Sequence, residues 1–335
     1  MINPGTAEWL NLVEEEIIDA QRPIIDPHRH LWKQPAGSDY LLENLWEDTG
    51  SGHNVVKTVF VECFAEYRTE GPNHLKSLGE TEFVAEQADA SEADNGNATI
   101  AAIVGHTNLT RGEQTREPLE AHIELGRGKF RGVRHAGARD PHPEALMIAG
   151  RGPEGLYQMA EFREGLKVLA DMGLTYDTWH YHHQNRDFAD LARACPDTQM
   201  ILDHFGTPLG VGPYEGQREE IFEQWKKDIA EIARCENVVA KIGGLAMPDN
   251  GFGWHNRDTP ATSDEFVSAQ KRYYLHTIEC FGPDRCMMES NFPVDKYSIS
   301  YPVLYNGLKK IVADFSEDEK DAMFYGTAAR VYSID

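Results

Sequence analysis

The stretch Pro23-Ile24-Ile25-Asp26-Pro27-His28-Arg29-His30 is an apolar run that ends in polar side chains. Side chains alternate between the two faces of a strand, so His28 and His30 project the same way from the end of a predicted first strand. Two imidazoles on one side can bind one metal ion, although two ordinary surface histidines would give the same pattern. The stretch therefore predicts a buried strand that carries reactive groups at its carboxyl end.

Seven further runs of β-branched and other apolar residues follow the first one. The eight predicted strands span residues 24–28, 58–63, 99–105, 130–135, 174–180, 200–204, 238–242 and 285–291. Amphipathic segments between them predict helices at 81–93, 117–125, 155–172, 218–235 and 263–281. Eight alternating strand–helix repeats fit an α/β fold of the (β/α)8 TIM-barrel type better than an open doubly wound sheet. No G-x-G-x-x-G motif follows the first strand, which argues against a dinucleotide-binding fold.

The whole chain is expected to form one domain. Residues 1–22 are an N-terminal extension, in which 8–20 are predicted to form one helix, and residues 23–315 form the barrel. Residues 316–335 are predicted to form a terminal helix that packs on the barrel. Its start is marked by Ser316 and Glu319, which have the spacing of a capping box.

The charge and composition narrow the classes of partner. The net charge of −23 disfavours nucleic acid and anionic membranes, both of which are bound through Lys and Arg. No apolar run approaches the roughly 18 residues of a membrane span, and no secretory signal is visible. The five cysteines are scattered without a C-x-x-C motif. These features favour a cytoplasmic protein with reduced thiols that acts on a small-molecule substrate, and they are compatible with a homo-oligomer.

Active sites of such barrels lie at the carboxyl ends of the strands and in the loops that follow. The polar side chains that the predicted strands bring there are His28, His30, Glu62, His106, Arg131, Arg134, His135, His180, His182, His183, His204, Lys241, Asn291 and Asp295. We predict Arg134, His180, His182 and Lys241 as substrate-binding residues. Arg134 can bind a substrate carboxylate in a bidentate manner, although a structural ion pair is the alternative for it and for Lys241. His204 is predicted to be functional, with a core histidine bonded to a carbonyl as the alternative.

Five stretches of the chain resemble the amidohydrolase superfamily, in the amidohydrolase-2 branch of TIM-barrel metal-dependent hydrolases. In chain order they are Ile25-Asp26-Pro27-His28-Arg29-His30-Leu31-Trp32, Ile201-Leu202-Asp203-His204-Phe205-Gly206-Thr207-Pro208, Lys241-Ile242-Gly243-Gly244-Leu245, Glu289-Ser290-Asn291-Phe292-Pro293-Val294-Asp295 and Gly326-Thr327-Ala328-Ala329-Arg330. Within the branch the chain is most similar to sugar-lactone and pyrone-dicarboxylate lactonases, and decarboxylases of aromatic acids also belong there. The resemblance implies that His28 and His30 are metal ligands. It also implies that His204 contacts the substrate or polarises its carbonyl.

One stretch departs from the family pattern. The family has an aspartate in a pattern like G-S-D-W-P, whereas this chain reads Glu289-Ser290-Asn291-Phe292-Pro293. An amide cannot accept the proton of the attacking water as a carboxylate would. Three hypotheses stay open: Asp295 supplies the missing carboxylate, Glu62 supplies it, or the site is metal-free and its histidines polarise the substrate directly.

The sequence therefore predicts a hydrolase that opens the C–O ester bond of a lactone, derived from a small sugar acid or a dicarboxylate-type compound. Its predicted catalytic residues are His204, Asn291, Glu62 and Asp295, with one of the last two as the base. A divalent metal, with zinc as the first candidate, would lower the pKa of a bound water to roughly 7. A metal-dependent decarboxylase of a small aromatic or unsaturated acid and a catalytically inactive barrel are the alternatives. The loops after the strands, at 64–78, 136–154 and 243–262, are expected to decide the substrate.

Overall fold

The computed structural model of the chain describes residues 3–33 and 39–335, and a sheet of eight parallel strands lies at its centre. The strands are β1 (Ile24–Arg29), β2 (Val55–Val61), β3 (Thr99–Gly105), β4 (Phe130–Arg134), β5 (Thr175–Thr178), β6 (Met200–Leu202), β7 (Val238–Ile242) and β8 (Cys286–Met288). They are hydrogen-bonded in chain order. The amide of His30 donates to the carbonyl of Phe292 at 3.1 Å, so the end of β1 also meets the segment after β8. The predicted (β/α)8 barrel is confirmed.

The helices are α1 (Ala7–Leu10), α2 (Leu42–Thr49), α3 (Leu78–Ala93), α4 (Arg116–Leu125), α5 (Ala160–Asp171), α6 (Asn185–Ala194), α7 (Arg218–Ala233), α8 (Ser263–Phe281), α9 (Tyr301–Ile311), α10 (Glu317–Asp321) and α11 (Thr327–Val331). Helices α2 to α8 connect successive strands, α1 precedes the first strand, and α9 to α11 follow the last one. A helix is found at each of the five predicted places, but α5 begins later than predicted because residues 156–158 form a separate 3-10 turn. In the described ranges, no helix is long and apolar enough to cross a bilayer.

The prediction of one helix over residues 8–20 is wrong beyond Leu10. From there the extension runs along α9, whose side chains bind its backbone. Asn306 accepts a hydrogen bond from the amide of Ile18 and donates one to the carbonyl of Glu16, both at 2.9 Å. Because these contacts satisfy backbone groups that a helix would pair internally, a non-helical path is stable here.

The barrel interior changes from apolar to charged along the strand direction. Val239 and Met287 belong to an apolar cluster inside the barrel. Lys241 and Glu289 follow these two residues by two positions, so their side chains also point into the barrel. Both have no exposed surface. The alternation thus places a charged layer above an apolar one, at the end of the barrel where folds of this type have their active sites.

The terminal segment closes the opposite end of the barrel. A π-helical turn (Ala322–Gly326) joins α10 to α11. The capping box is present, since the amide of Ser316 donates to the carboxylate of Glu319 at 2.8 Å. Val331 and Tyr332 pack against the apolar layer inside the barrel. The predicted terminal helix therefore forms, with a π turn within it, and packs on the barrel.

Candidate active site

Two histidines and one glutamate form the centre of the charged layer. The Nδ1 atom of His28 lies 3.0 Å from Oε2 of Glu289, and Nδ1 of His204 lies 2.7 Å from Oε1 of the same residue. Donor atoms of these three residues all lie within 4.8 Å of one another. All three side chains are buried. One carboxylate at the end of β8 thus links histidines from the first and sixth strands.

The geometry and burial keep the histidines neutral. His30 stands beside His28, with ring centroids 4.9 Å apart, and its Nδ1 donates to the carbonyl of Val61 at 2.8 Å. That bond leaves its Nε2 as a lone-pair nitrogen. Burial lowers the pKa of His204 to about 3. Burial also lowers the pKa values of His28 and His30 well below their ordinary value, helped by the positive charges of Lys241 and Arg134. Neutral imidazoles are the form that binds a metal or accepts a proton.

Lys241, at the carboxyl end of β7, is the first of two buried cations beside His28. Its Nζ atom lies 2.6 Å from Oδ2 of Asp177, 3.3 Å from Oδ1 of Asp203 and 3.3 Å from Nδ1 of His28. Burial acts to lower the pKa of Lys241, but Asp177, Asp203 and Glu289 outweigh it, so the pKa is raised and the lysine stays charged.

Arg134 is the second cation, and its donors are used within the layer. Its Nε donates to Oε1 of Glu62 at 2.8 Å, and its Nη2 donates to the Glu62 carbonyl. Its Nη1 lies 3.4 Å from Nε2 of His28 and 3.7 Å from Oδ2 of Asp203. The guanidinium therefore fixes the orientation of Glu62, and the substrate-carboxylate interaction that the sequence suggested would have to compete with these bonds.

The layer carries more negative than positive charge. Its carboxylates are Glu62, Asp177, Asp203 and Glu289, against the two cations Arg134 and Lys241. Several buried carboxylate oxygens make no hydrogen bond among the described residues: both of Asp203, Oε2 of Glu62 and Oε2 of Glu289. Burial raises the pKa of Glu289 to about 8 and that of Asp203 to about 6. Each raised pKa reflects a carboxylate with too little compensating charge, which a divalent cation would supply.

Asn291 and Asp295, after the last strand, bond to each other and to the loop after β7. Asn291 donates from Nδ2 to Oδ1 of Asp295 at 2.9 Å. The other oxygen of Asp295 accepts the amide of Ala246, in the loop after β7, at 3.0 Å. Both acceptor oxygens of Asp295 are therefore engaged in fixing loops. Of the two base candidates, only Glu62 has an oxygen without a partner among the described residues.

The two predicted histidines of the fifth loop have other neighbours. Nε2 of His180 lies 2.9 Å from Oδ1 of Asn185, and its ring packs on Phe188 of α6. His182 accepts the amide of Leu209 at 3.3 Å and lies half-buried at the rim. Neither makes a hydrogen bond or ion pair with the charged layer in the described part of the chain. The structure therefore brings together His28, His30, Glu62, Arg134, His204 and Lys241, and leaves His180 and His182 outside.

Sequence reasoning missed three carboxylates of the layer: Asp177, Asp203 and Glu289. The signal that could have found them is the parity of the strand positions. Tyr176 packs in the outer cluster between sheet and helices, so its neighbour Asp177 faces the interior. Ile201 belongs to the inner apolar cluster, and Asp203 follows it by two. A charged side chain that points into the barrel from a strand buried on both faces is a candidate site residue.

The chain matches known proteins over nearly its full length. Residues 25–334 match the family model described as amidohydrolase. An uncharacterized protein of Sinorhizobium fredii, y4mH, is 32% identical over 332 residues, which cover 93% of this chain and 98% of that protein. L-fucono-1,5-lactonase of Burkholderia multivorans is 25% identical over 320 residues, with 92% and 96% covered. An amidohydrolase of Burkholderia multivorans, solved with bound HEPES and with bound zinc, has a TM-score of 0.71 at 23% identity over 93% of this chain and 99% of that chain, which shows a common fold.

Proposed function

The chain belongs to the amidohydrolase family, and from this premise we propose that it hydrolyses the ester bond of a small sugar lactone. The observation that carries the proposal is the buried layer of neutral histidines, cations and the carboxylate of Glu62, whose Oε2 makes no hydrogen bond within residues 3–33 and 39–335. This layer offers a base for water and positive charge for an oxyanion, which ester hydrolysis requires. The 25% identical relative named L-fucono-1,5-lactonase supports a sugar lactone as the substrate class. The family of the chain and the polar residues present in the site both argue against a catalytically inactive barrel.

The residues present fit a divalent metal. His28, His204 and Glu289 are a compact set of two nitrogen donors and one carboxylate, and the layer has an excess of negative charge. These three residues would hold the ion, and the ring of His30, the second metal ligand predicted from the sequence, lies beside that of His28 with the centroids 4.9 Å apart. When bound, a divalent metal such as zinc polarises an ester carbonyl and lowers the pKa of a coordinated water.

The protein's own groups account for the proton transfers. Glu62 accepts a proton from the attacking water through Oε2, while Arg134 holds Oε1 and prevents the carboxylate from turning. The water oxygen forms a bond to the carbonyl carbon, and the carbonyl oxygen takes up the negative charge near the cations Lys241 and Arg134. When the tetrahedral species collapses, the C–O bond to the ring oxygen breaks. Glu62 then returns its proton to that oxygen, so the product is a hydroxy acid.

The decarboxylase alternative is less well supported by the charges of the site. A substrate with its own carboxylate would enter a layer that already contains more carboxylates than cations. A neutral, hydroxyl-rich substrate meets no such repulsion and can donate to Oε2 of Glu62, which makes no hydrogen bond among the described residues.

The proposal is tested with a panel of six- and five-membered sugar lactones and muconate-type lactones, assayed with and without added zinc, beside carboxylated aromatic acids as decarboxylation substrates. We expect turnover of sugar lactones, and a fall in kcat of about 10²–10⁴-fold in Glu62→Gln, because the amide cannot act as a base. Glu86→Gln, the same change on the exposed side of α3, is the matched control and should keep wild-type kcat.

Three results would count against this assignment. Decarboxylation without any lactone turnover would refute the lactonase proposal. Wild-type kcat in Glu62→Gln would remove Glu62 as the base. A larger loss in a folded Asp295→Asn protein than in Glu62→Gln would transfer the role to Asp295.

A further inference from the structure

An exposed aromatic residue follows β2 at the mouth of the barrel. Phe64 stands two residues after Glu62, and 66% of its surface is exposed. Its φ angle is +65°, in the left-handed region that bulky residues rarely adopt, and Glu66 follows at +49°. A left-handed conformation is unfavourable for a residue with a Cβ atom. An exposed ring on a strained backbone contributes little to the stability of the fold. The combination points to a role in binding.

The turn that presents Phe64 is held in place by a buried carboxylate. Oε1 of Glu80, in α3, accepts the amides of Cys63 and Ala65 at 2.9 and 2.8 Å. Glu80 itself has no exposed surface. Because the amides on both sides of Phe64 are bonded to one buried oxygen, the backbone that carries the ring is held in place in the absence of a ligand.

Two further rings stand beside Phe64. The centroid of Tyr67 is 5.7 Å and that of His106 is 5.9 Å from the Phe64 centroid. His106 donates from Nδ1 to the carbonyl of Arg134 at 3.0 Å, which fixes this ring against the charged layer. We call Phe64, Tyr67 and His106 the aromatic wall. It lies on the β2–β3 side of the mouth, next to the proposed base.

The hydroxyl of Tyr67 has no partner in the described part of the chain, although it is buried. Burial, with the negative charges of Glu80 and Glu62, raises the pKa of Tyr67, so its hydroxyl stays protonated and able to donate. A buried donor without an acceptor is unfavourable unless a ligand supplies one. The wall therefore combines an apolar face with one unused hydrogen-bond donor.

We propose that the aromatic wall binds a sugar-type lactone ring, with Phe64 stacked on a C–H face of the ring and Tyr67 donating to a ring substituent. The inference rests on the proposed lactonase function and specifies the substrate class of the same site. A saturated, polyhydroxylated ring has apolar C–H faces and oxygen acceptors at its edge, which match the two features of the wall. Its hydroxyls can also donate to the free oxygen of Glu62.

Binding is measured apart from turnover, by calorimetry with the lactam analogues of the panel's sugar lactones, in which an amide replaces the ester. Phe64→Ala should weaken lactam binding by about ten-fold or more, because it removes a ring that the ligand would cover. Phe64→Trp should restore most of the affinity. Leu12→Ala removes another exposed apolar side chain, from the N-terminal extension away from the loops at the barrel mouth, and serves as the matched control with unchanged affinity.

The hydroxyl of Tyr67 is tested by comparing two substrates. Tyr67→Phe should raise KM for the best sugar lactone several-fold and leave KM for δ-valerolactone, which has no hydroxyl groups, unchanged; a merely structural role would affect both. Unchanged lactam affinity in Phe64→Ala, or no lactam binding by the wild-type protein, would overturn the inference. Lactam binding without hydrolysis of any lactone would instead contradict the proposed function and leave the wall supported.

Discussion

Asn291 stands where the family pattern has an aspartate, yet its side chain is not part of the charged layer. Its φ angle of +56° places it in the left-handed region, where Asn is among the few residues that are common. From there its amide donates to Asp295 at 2.9 Å. The carboxylate that meets the histidines comes from Glu289, two residues earlier, at the last inward position before the turn. A carboxylate is therefore supplied at this strand end without an aspartate at position 291.

Restoring the family's aspartate should harm the protein. Asn291→Asp replaces a hydrogen-bond donor with a second carboxylate beside the buried Asp295, and we expect a loss of roughly 2–3 kcal/mol in the free energy of unfolding at neutral pH. Because burial raises the pKa of Asp295 well above its ordinary value, the loss should become smaller as the pH falls and the pair shares a proton. Urea unfolding at several pH values measures it, with the exposed Asn256→Asp as control. A stable Asn291→Asp protein with tighter zinc binding would contradict the contacts described for this turn.

At the scale of elements, the turn after β2 depends on the first turn of α3. The carboxylate of Glu80 is fully buried and accepts two amides of that turn. Burial, with the neighbouring charge of Glu62, raises the pKa of Glu80 to about 8. Helix, turn and aromatic ring are thus coupled through one titratable group, which gives this part of the site a defined pH dependence.

Glu80 should make the protein less stable as the pH rises. The folded protein keeps the Glu80 proton up to about pH 8, whereas the unfolded chain loses it near the ordinary value of 4.5, so stability falls with pH across this window. Between pH 7 and 8 the free energy of unfolding of the wild type should fall by about 1 kcal/mol more than that of Glu80→Gln. Titrating groups that do not interact with Glu80 cancel in this difference. Glu86→Gln, on the exposed side of the same helix, should behave as wild type, and identical pH slopes for all three proteins would refute the assignment.

At the scale of the whole molecule, the terminal helix and the charged layer meet inside the barrel. Tyr332 enters from the amino-terminal end of the barrel and donates to Oδ2 of Asp177 at 2.6 Å. The same oxygen accepts from Lys241, whose ammonium lies 5.4 Å from the Tyr332 ring centroid. Lys241 in turn lies 3.3 Å from Nδ1 of His28. Tyr332 thereby helps to position Lys241 beside His28, through the carboxylate of Asp177.

Removing one hydroxyl at the closed end of the barrel should lower stability. Tyr332→Phe leaves the buried Asp177 with one donor fewer, and we expect a loss of about 2 kcal/mol in the free energy of unfolding. Tyr274→Phe is the control, because the buried hydroxyl of Tyr274 makes no hydrogen bond among the described residues. That change should be neutral or slightly stabilising. Equal effects of the two substitutions in thermal and urea unfolding would show that the Tyr332–Asp177 bond contributes nothing.

The fold and part of the site could be predicted because their signals are local. Apolar runs of strand length alternate with amphipathic segments, and parallel strands bring all their carboxyl ends to one edge, so His28, His204 and Lys241 had to meet if the barrel formed. The capping box at Ser316 likewise involves residues three apart. These patterns were enough to predict the barrel, the family and the histidines and cations of the site.

The carboxylate side was decided only by the tertiary structure. Whether Glu62, Asp295 or Glu289 meets the histidines depends on left-handed turns at His204 and Asn291 and on the closure of the segment after β8 against β1. These are contacts between residues far apart in the chain, and a run of letters does not encode their distances. The N-terminal extension was likewise decided by a long-range contact. Asn306 on α9 bonds its backbone at Glu16 and Ile18, so the helix that the local sequence favoured does not form there. Local periodicity fixed which strands form, whereas long-range closure fixed which side chains share the buried charge.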